Sequence, residues 1–245
     1  MKEKSYRYIG SWASIYYLVV LILAFSVGFA SGQEQTVPKL KYEKKIEVKG
    51  CGDQLNKEGL KLQDKGLELF FVKGRTTEAV DLLEKAIKLE PRLFPSYMQL
   101  GFYYLEVENN PEKAITLLKK AIEHCSKVPL LYQSLADCYA RIEQHHEAIH
   151  NYNKAEELGI EPAPPFYYNR GNSYSEVKEY DKAIENYKKA VELDPKKFNA
   201  WRNLVIVYYQ KGDKKNAIKC AKTLEKLDPK GDFGAWGREA IRMIK

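Results

Sequence analysis

Residues 164–197 read PPFYYNRGNSYSEVKEYDKAIENYKKAVELDPKK, and this stretch decides the fold. It holds two triplets with the same four-and-three spacing: Tyr167, Gly171 and Tyr174, then Ala183, Tyr187 and Ala190. Residues at these spacings share one face of an α-helix. The stretch therefore predicts two short helices that face each other across a turn near residues 178–180. Pro195 ends the second helix, because its ring cannot continue the hydrogen-bond ladder.

The same spacing recurs on both sides of this stretch at steps of 34 or 35 residues, which indicates a repeat architecture. The five units are residues 59–93, 94–128, 129–163, 164–197 and 198–231. In the second unit the turn at residues 107–111 holds one extra residue, and in the fifth Val205 stands at the glycine position, which predicts a wider helix spacing there. One unit buries too little apolar surface alone, but stacked neighbours form a continuous core.

This pattern resembles the tetratricopeptide-repeat family, and the resemblance covers residues 59–231 without a gap. It implies an all-α fold, a right-handed solenoid of five helix–turn–helix repeats with a capping helix over residues 232–245. It also implies a concave groove, lined by the first helix of each repeat, that takes a peptide or helix of a partner protein. Half of the 18 tyrosines fall on the family's packing positions: Tyr97, Tyr104, Tyr132, Tyr139, Tyr152, Tyr167, Tyr174, Tyr187 and Tyr208. These are predicted to be core residues and not a stacking platform for bases or sugars.

The resemblance also implies which side chains line the groove. The groove-facing positions are Gln133, Asp137, Arg141, Tyr168, Asn169, Asn172, Asn199, Arg202 and Asn203. Asparagine amides can bond a partner's backbone whatever its sequence, and Arg202 can pair with a carboxylate. The Lys/Arg set with which some family members bind chaperone tails is incomplete here, so that class of partner is disfavoured. The first two units offer apolar residues that suit a helical partner: Leu67, Phe70, Phe102 and Leu105.

The N-terminal region carries a second signal. Residues 8–33 contain no charge, and residues 15–30, IYYLVVLILAFSVGFA, are almost entirely apolar. Basic residues precede this segment and small residues follow it, as in a secretory signal that would be removed with residues 1–32. Residues 12–30 are also long enough for a single-pass membrane anchor. Both interpretations stay open; they predict an exported or membrane-anchored protein, and lysines on both sides leave the orientation open. Residues 33–58 are predicted to form a charged linker in which Asp53 caps the first helix.

Other functional classes are disfavoured. Removing residues 1–32 lowers the net charge from +7 to +5, since three basic residues and one acidic residue leave, and no basic block predicts nucleic-acid binding. Residues 146–150 read HEAIH, a formal HExxH zinc-peptidase motif. Residues 147–149 nevertheless fit the start of a repeat's second helix. We therefore expect a non-enzymatic scaffold with no metal and no cofactor, with a metal-dependent peptidase and a self-assembling array as alternatives. The oligomeric state stays open.

The cysteines follow no paired spacing and suggest no zinc site. They are Cys51, Cys125, Cys138 and Cys220. Export would allow disulfides, but nothing in the sequence selects partners. We expect free, mostly buried thiols.

Overall fold

The computed structural model describes residues 51–52, 54–70 and 75–245, which belong to one compact unit, residues 49–245. These residues contain eleven α-helices and no strand. The helices are α1 (Lys57–Phe70), α2 (Thr76–Leu89), α3 (Phe94–Phe102), α4 (Pro111–His124), α5 (Pro129–Arg141), α6 (His145–Glu157), α7 (Pro164–Glu176), α8 (Tyr180–Leu193), α9 (Phe198–Gln210), α10 (Lys214–Leu227) and α11 (Asp232–Ile244). Consecutive pairs from α1/α2 to α9/α10 are the five predicted repeats, and α11 packs on the last of them. The predicted all-α repeat fold is confirmed.

In the first, second and fourth repeats a glycine of the first helix packs against a large residue of the second helix: Gly66 against Leu83, Gly101 against Leu118 and Gly171 against Tyr187. A Cβ added at Gly171 would lie 2.8 Å from the ring of Tyr187, too close for any real contact. In the fifth repeat the larger residue is on the first helix. Val205 stands at the glycine position, and Ala221, 34 residues after Tyr187, stands at the position of the large residue. Both are buried in one hydrophobic cluster.

The repeats stack through a nearly continuous apolar core. Seven of the nine tyrosines predicted to pack are buried, while Tyr132 and Tyr167 are half-buried. Polar groups also enter the core: Arg170 is 4% exposed and donates to Glu156 (2.8 Å) and to Asn186 (2.8 Å). Because these partners lie on α6 and α8, one guanidinium on α7 joins three consecutive helices.

The extra residue of the second repeat is absorbed within a helix. Residues Tyr103–Val107 continue α3 as a π-helical segment. In the third repeat the N–H of Gln144 donates to the carbonyl of Tyr139, five residues back, whereas in the second the N–H of Asn110 donates to Tyr104, six residues back. An insertion that widens one helical turn in this way preserves the packing on both sides.

The N-terminal end of the unit is fixed by side chains that the sequence did not single out. Asn56 caps α1, accepting from the N–H groups of residues 58 and 59. Glu90 is buried; it accepts from the N–H of Asn56 and from both Nε and Nη2 of Arg92. Hydrogen bonds from Arg92 and Asn56 lower the pKa of Glu90 to about 2, although burial acts in the opposite direction. This carboxylate therefore ties the start of α1 to the loop between the first two repeats.

The prediction of four free thiols is wrong for two of them. Cys51 and Cys125 form a disulfide with their Cα atoms 5.6 Å apart, and the N–H of Cys51 also donates to the carbonyl of Arg92. The sequence could not reveal the pair, because Cys51 lies outside the repeats and no periodic spacing relates it to Cys125. Cys138 and Cys220 are free and buried, as predicted.

The predicted signal or anchor in residues 1–32, most of the linker, and Asp53 lie outside the described residues. Across 51–52, 54–70 and 75–245, no helix combines the length and the apolar character needed to cross a bilayer.

Candidate functional site on the inner row of first helices

The first helices of the repeats, α1, α3, α5, α7 and α9, form a row that we call the inner row. First helices of successive repeats contact one another in addition to their own second helices. A polar side-chain pair bridges every junction between neighbouring first helices. The pairs are Ser96 with Gln63 (3.1 Å), Arg141 with Glu106 (2.7 Å), Asn169 with Asp137 (3.0 Å) and Asn203 with Asn172 (2.9 Å). Five of the nine predicted groove residues take part in these pairs.

At two junctions a tyrosine from a second helix completes a three-membered cluster. The hydroxyl of Tyr152 donates to Oδ1 of Asp137, which also accepts from Nδ2 of Asn169. One repeat later, the hydroxyl of Tyr187 donates to Oδ1 of Asn172 (2.8 Å). Sequence reasoning placed the tyrosines in the core and the amides in the groove, and it missed that they bond to each other. One sequence signal could have indicated these hydrogen bonds: the same 35-residue step relates position 137 to 172 and position 152 to 187.

The two clusters differ by one charge. Burial raises the pKa of Asp137 to about 6; the hydrogen bonds from Tyr152 and Asn169 act in the opposite direction, and the nearby charge of Glu106 raises it further. Burial also raises the pKa of Tyr152 and of Tyr187, so both phenols stay neutral donors. Asp137 is therefore a half-buried carboxylate that ionises near neutral pH, while Asn172 offers the same acceptor oxygen without charge.

The remaining predicted groove residues have distinct surroundings. The ring of Tyr168 lies 6.1 Å from that of Tyr187, and Nζ of Lys197 lies 5.3 Å from its centroid. Asn199 is exposed and Gln133 is half-buried. Nε of Arg202 is buried and has no hydrogen-bond partner among the described residues. Positions 133, 168 and 202 are equivalent by the repeat step, so Arg202 belongs to the same column of the inner row as Gln133 and Tyr168.

The first two repeats present an aromatic cluster on this row. The ring of Phe70 lies edge-on to Phe102 (6.3 Å) and to Tyr103 (6.4 Å). Phe102 and Leu67 are half-buried. The prediction for Leu105 is wrong: it is 8% exposed and belongs to the core, because it lies in the π-helical turn, which changes the face that each side chain occupies.

The formal HExxH motif lies at the start of α6. His146, Glu147 and His150 are all exposed there. The described part of the chain contains no group of three or more side chains placed to hold a metal ion.

Paired helices and a stacked core define an all-α helical-repeat protein of the solenoid class. The family model described as "Tetratricopeptide repeat" matches residues 164–197, and a second model of the same description matches residues 130–158 and 198–230. Tetratricopeptide repeats are therefore present through residues 130–230. Such proteins are in general protein-interaction scaffolds.

Solved structures show the same fold. MamA is 26% identical with a TM-score of 0.62, over 71% of this chain and 93% of MamA. Residues 41 to the end of MamA from Desulfovibrio magneticus RS-1 are 18% identical with a TM-score of 0.62, over 73% and 99% of the two chains. YrrB, described as a TPR protein with an unusual peptide-binding site, is 19% identical with a TM-score of 0.64, over 75% and 94%. No curated protein matches the sequence.

Proposed function

We propose that this protein is a non-enzymatic scaffold whose inner row binds an extended or helical segment of a partner protein. The observation that carries the proposal is Arg202, whose Nε is buried without a hydrogen-bond partner among the described residues. A buried donor left unpaired costs about 1–3 kcal/mol, and native structures rarely keep one without a reason. A rotation of the side chain that brings this donor to a carbonyl or carboxylate of a bound segment would remove that cost.

The neighbours of Arg202 support the same use. Asn199 precedes it by one helical turn and is exposed, so its amide is open to a partner's backbone. Lys197 and the half-buried ring of Tyr168 lie beside this end of the row. The last two repeats therefore offer donors and a positive field, whereas the first two offer the aromatic cluster around Phe70. One partner segment that crosses both would be apolar at one end and rich in acceptors at the other.

We also propose that the body acts in an exported compartment or at the membrane that bounds it. The disulfide between Cys51 and Cys125 supports this, since disulfides persist where the environment is oxidising. The uncharged segment at residues 8–33 supports it from the sequence side. Mass spectrometry of the mature N-terminus and of the non-reduced Cys51–Cys125 peptide pair tests both points. A retained residue 1 in a fully reduced cytosolic protein would refute the proposed location.

The binding test uses a phage-displayed library of random nine-residue peptides selected on the full chain. The double change Asn199→Ala with Arg202→Ala is expected to weaken selected peptides at least tenfold without lowering stability. Arg242→Ala is the matched control, since Arg242 is an exposed arginine on α11, which is not one of the first helices. Asn172 is not a suitable test position, because alanine there would remove the oxygen to which the Tyr187 hydroxyl donates. Unchanged binding by the double variant would place the binding surface elsewhere.

A further inference from the structure

We propose that Asp137 is the receptor for a cationic side chain, lysine or arginine, of the segment that binds the inner row. The inference rests on the function proposed above and names the chemistry of the partner at one position. Asp137 lies on α5 between Gln133, one turn before it, and Arg141, one turn after it.

The carboxylate of Asp137 is held in place by neutral groups. Its Oδ1 accepts from the Tyr152 hydroxyl on α6 and from Nδ2 of Asn169 on α7. Its Oδ2 accepts no hydrogen bond from any residue the structure describes. A carboxylate fixed through one oxygen, with the other available, is oriented for an external donor.

The next repeat shows that the fold does not need the charge. Asn172 occupies the equivalent position 35 residues later, and its Oδ1 accepts from Tyr187 (2.8 Å) and from Asn203 (2.9 Å). The donors are the same two types, a phenol and an asparagine amide, and they come from the equivalent helices one repeat later, α8 and α9 in place of α6 and α7. An amide oxygen therefore meets every structural demand made on this position, and an ionised carboxylate adds only the cost of desolvating a charge.

Among the described residues, none neutralises that charge. Arg141, the nearest cation on α5, directs Nη2 at both Oε atoms of Glu106, each at 2.7 Å. The titratable groups around Asp137 are Glu106 from the segment after α3, Cys138 and Arg141 on α5, and Tyr152 on α6. With Glu106 and Arg141 paired to each other, the local charge is −1, and a single cation on the partner would balance it.

The residues on either side of Asp137 in its column give the partner a pattern. Stepping by one repeat from position 137 leads back to Phe102 and forward to Asn172. Neighbouring first helices lie roughly 10 Å apart, a distance that an extended chain covers in about three residues. We therefore expect an apolar residue about three positions from the lysine or arginine, so that the first meets Phe102 while the second meets Asp137.

The test is the peptide selection described above, repeated on the full chain with Asp137→Asn and, as the matched control, Asp81→Asn, which makes the same change at an exposed aspartate of the second helix α2. Wild type should enrich peptides in which a basic residue lies about three positions from an apolar one. Changing that basic residue to glutamine should weaken binding about tenfold for wild type and for Asp81→Asn, and not at all for Asp137→Asn. Circular dichroism and thermal denaturation confirm that each variant is folded.

A second readout separates a binding role from a structural one. The pKa of Asp137, followed by carboxyl-carbon NMR, should fall by about one unit when a selected basic peptide saturates the protein. The glutamine version of that peptide should leave it unchanged. The inference is overturned if the basic and glutamine peptides bind equally, or if the preference for the basic peptide survives Asp137→Asn. In either case, peptide binding that depends on Arg202 would still support the scaffold function. Failure of every peptide to bind overturns both.

Discussion

Replacing Asp137 with asparagine is expected to raise the free energy of unfolding at neutral pH. The substitution keeps the acceptor oxygen for Tyr152 and Asn169 and removes the charge, which reproduces the arrangement around Asn172. The pKa of Asp137 in the folded protein is about 6, against an ordinary value of 3.8. Each pKa unit corresponds to about 1.4 kcal/mol, which gives roughly 3 kcal/mol at most, and partial exposure of the side chain reduces this to between about 1 and 3 kcal/mol.

The effect has a defined pH window. Because the folded pKa is raised, the stability that the protonated carboxyl contributes is fully present below pH 4 and is lost as the pH rises through 6. Wild type and Asp137→Asn should therefore be equally stable near pH 3.5. The variant should gain over wild type from pH 4 upward and keep a constant advantage above pH 7. Other titrating groups occur in both proteins and cancel in the difference.

Urea denaturation followed by circular dichroism at 222 nm, at pH 3.5, 5, 6 and 7.5, measures this difference. Asn172→Asp is the reverse experiment in the same fold: it places a carboxylate between Tyr187 and Asn203 and should destabilise the protein increasingly over the same pH range. A difference between wild type and Asp137→Asn that does not change with pH would refute the reasoning. So would an Asn172→Asp variant as stable as wild type at pH 7.5.

Three further predictions concern the stability of the stack. Glu90→Gln should lower the free energy of unfolding at pH 7 by about 3 kcal/mol, because the pKa of Glu90 in the folded protein is lowered to about 2. This difference between variant and wild type should disappear as the pH falls from 4.5 through 2. Acid denaturation of both proteins measures it. Gly171→Ala should cost about 1–3 kcal/mol, because the new Cβ would meet the ring of Tyr187 at 2.8 Å; thermal denaturation measures it, and an unchanged midpoint would contradict the packing described. Removing the link between Cys51 and Cys125 with Cys51→Ser should cost about 2–4 kcal/mol in urea; under reducing conditions the variant and wild type should become equal.

The repeat fold could be predicted because its determinants are local. Tyr167, Gly171 and Tyr174 share a helix face by spacing alone, and Gly171 with Tyr187 fixes how the two helices of a repeat meet. The structural effect of an inserted residue cannot be predicted in this way, because the repeat spacing shows that there is an extra residue but not which part of the backbone accommodates it. The sequence predicts that the extra residue of the second repeat lies in the turn. In the structure it is accommodated by the π-helical segment, which places Leu105 in the core.

The disulfide and the inner-row clusters depend on contacts that no local pattern encodes. Cys51 and Cys125 are 74 residues apart, and Cys51 lies outside every repeat. Asn169 and Asn172 were correctly placed on first helices, but a family position says nothing about which donors reach an amide. Only the three-dimensional structure shows that the hydroxyls of Tyr152 and Tyr187, both on second helices, donate hydrogen bonds to residues of the inner row.

The inner row joins recognition to the stability of the stack. In a solenoid each repeat contacts only its neighbours, so stability is a sum of repeat and junction contributions. Asp137 and Asn169 form one such junction and are also candidate contacts for a partner. A cation that binds Asp137 would lower the pKa of this carboxyl group and offset the loss of stability that its buried charge causes. This stabilisation would occur at the junction between the third and fourth repeats. Binding should therefore raise protection from hydrogen exchange in α5 and α7 more than in α1, whereas with Asp137→Asn that local gain should be absent because the junction is already neutral.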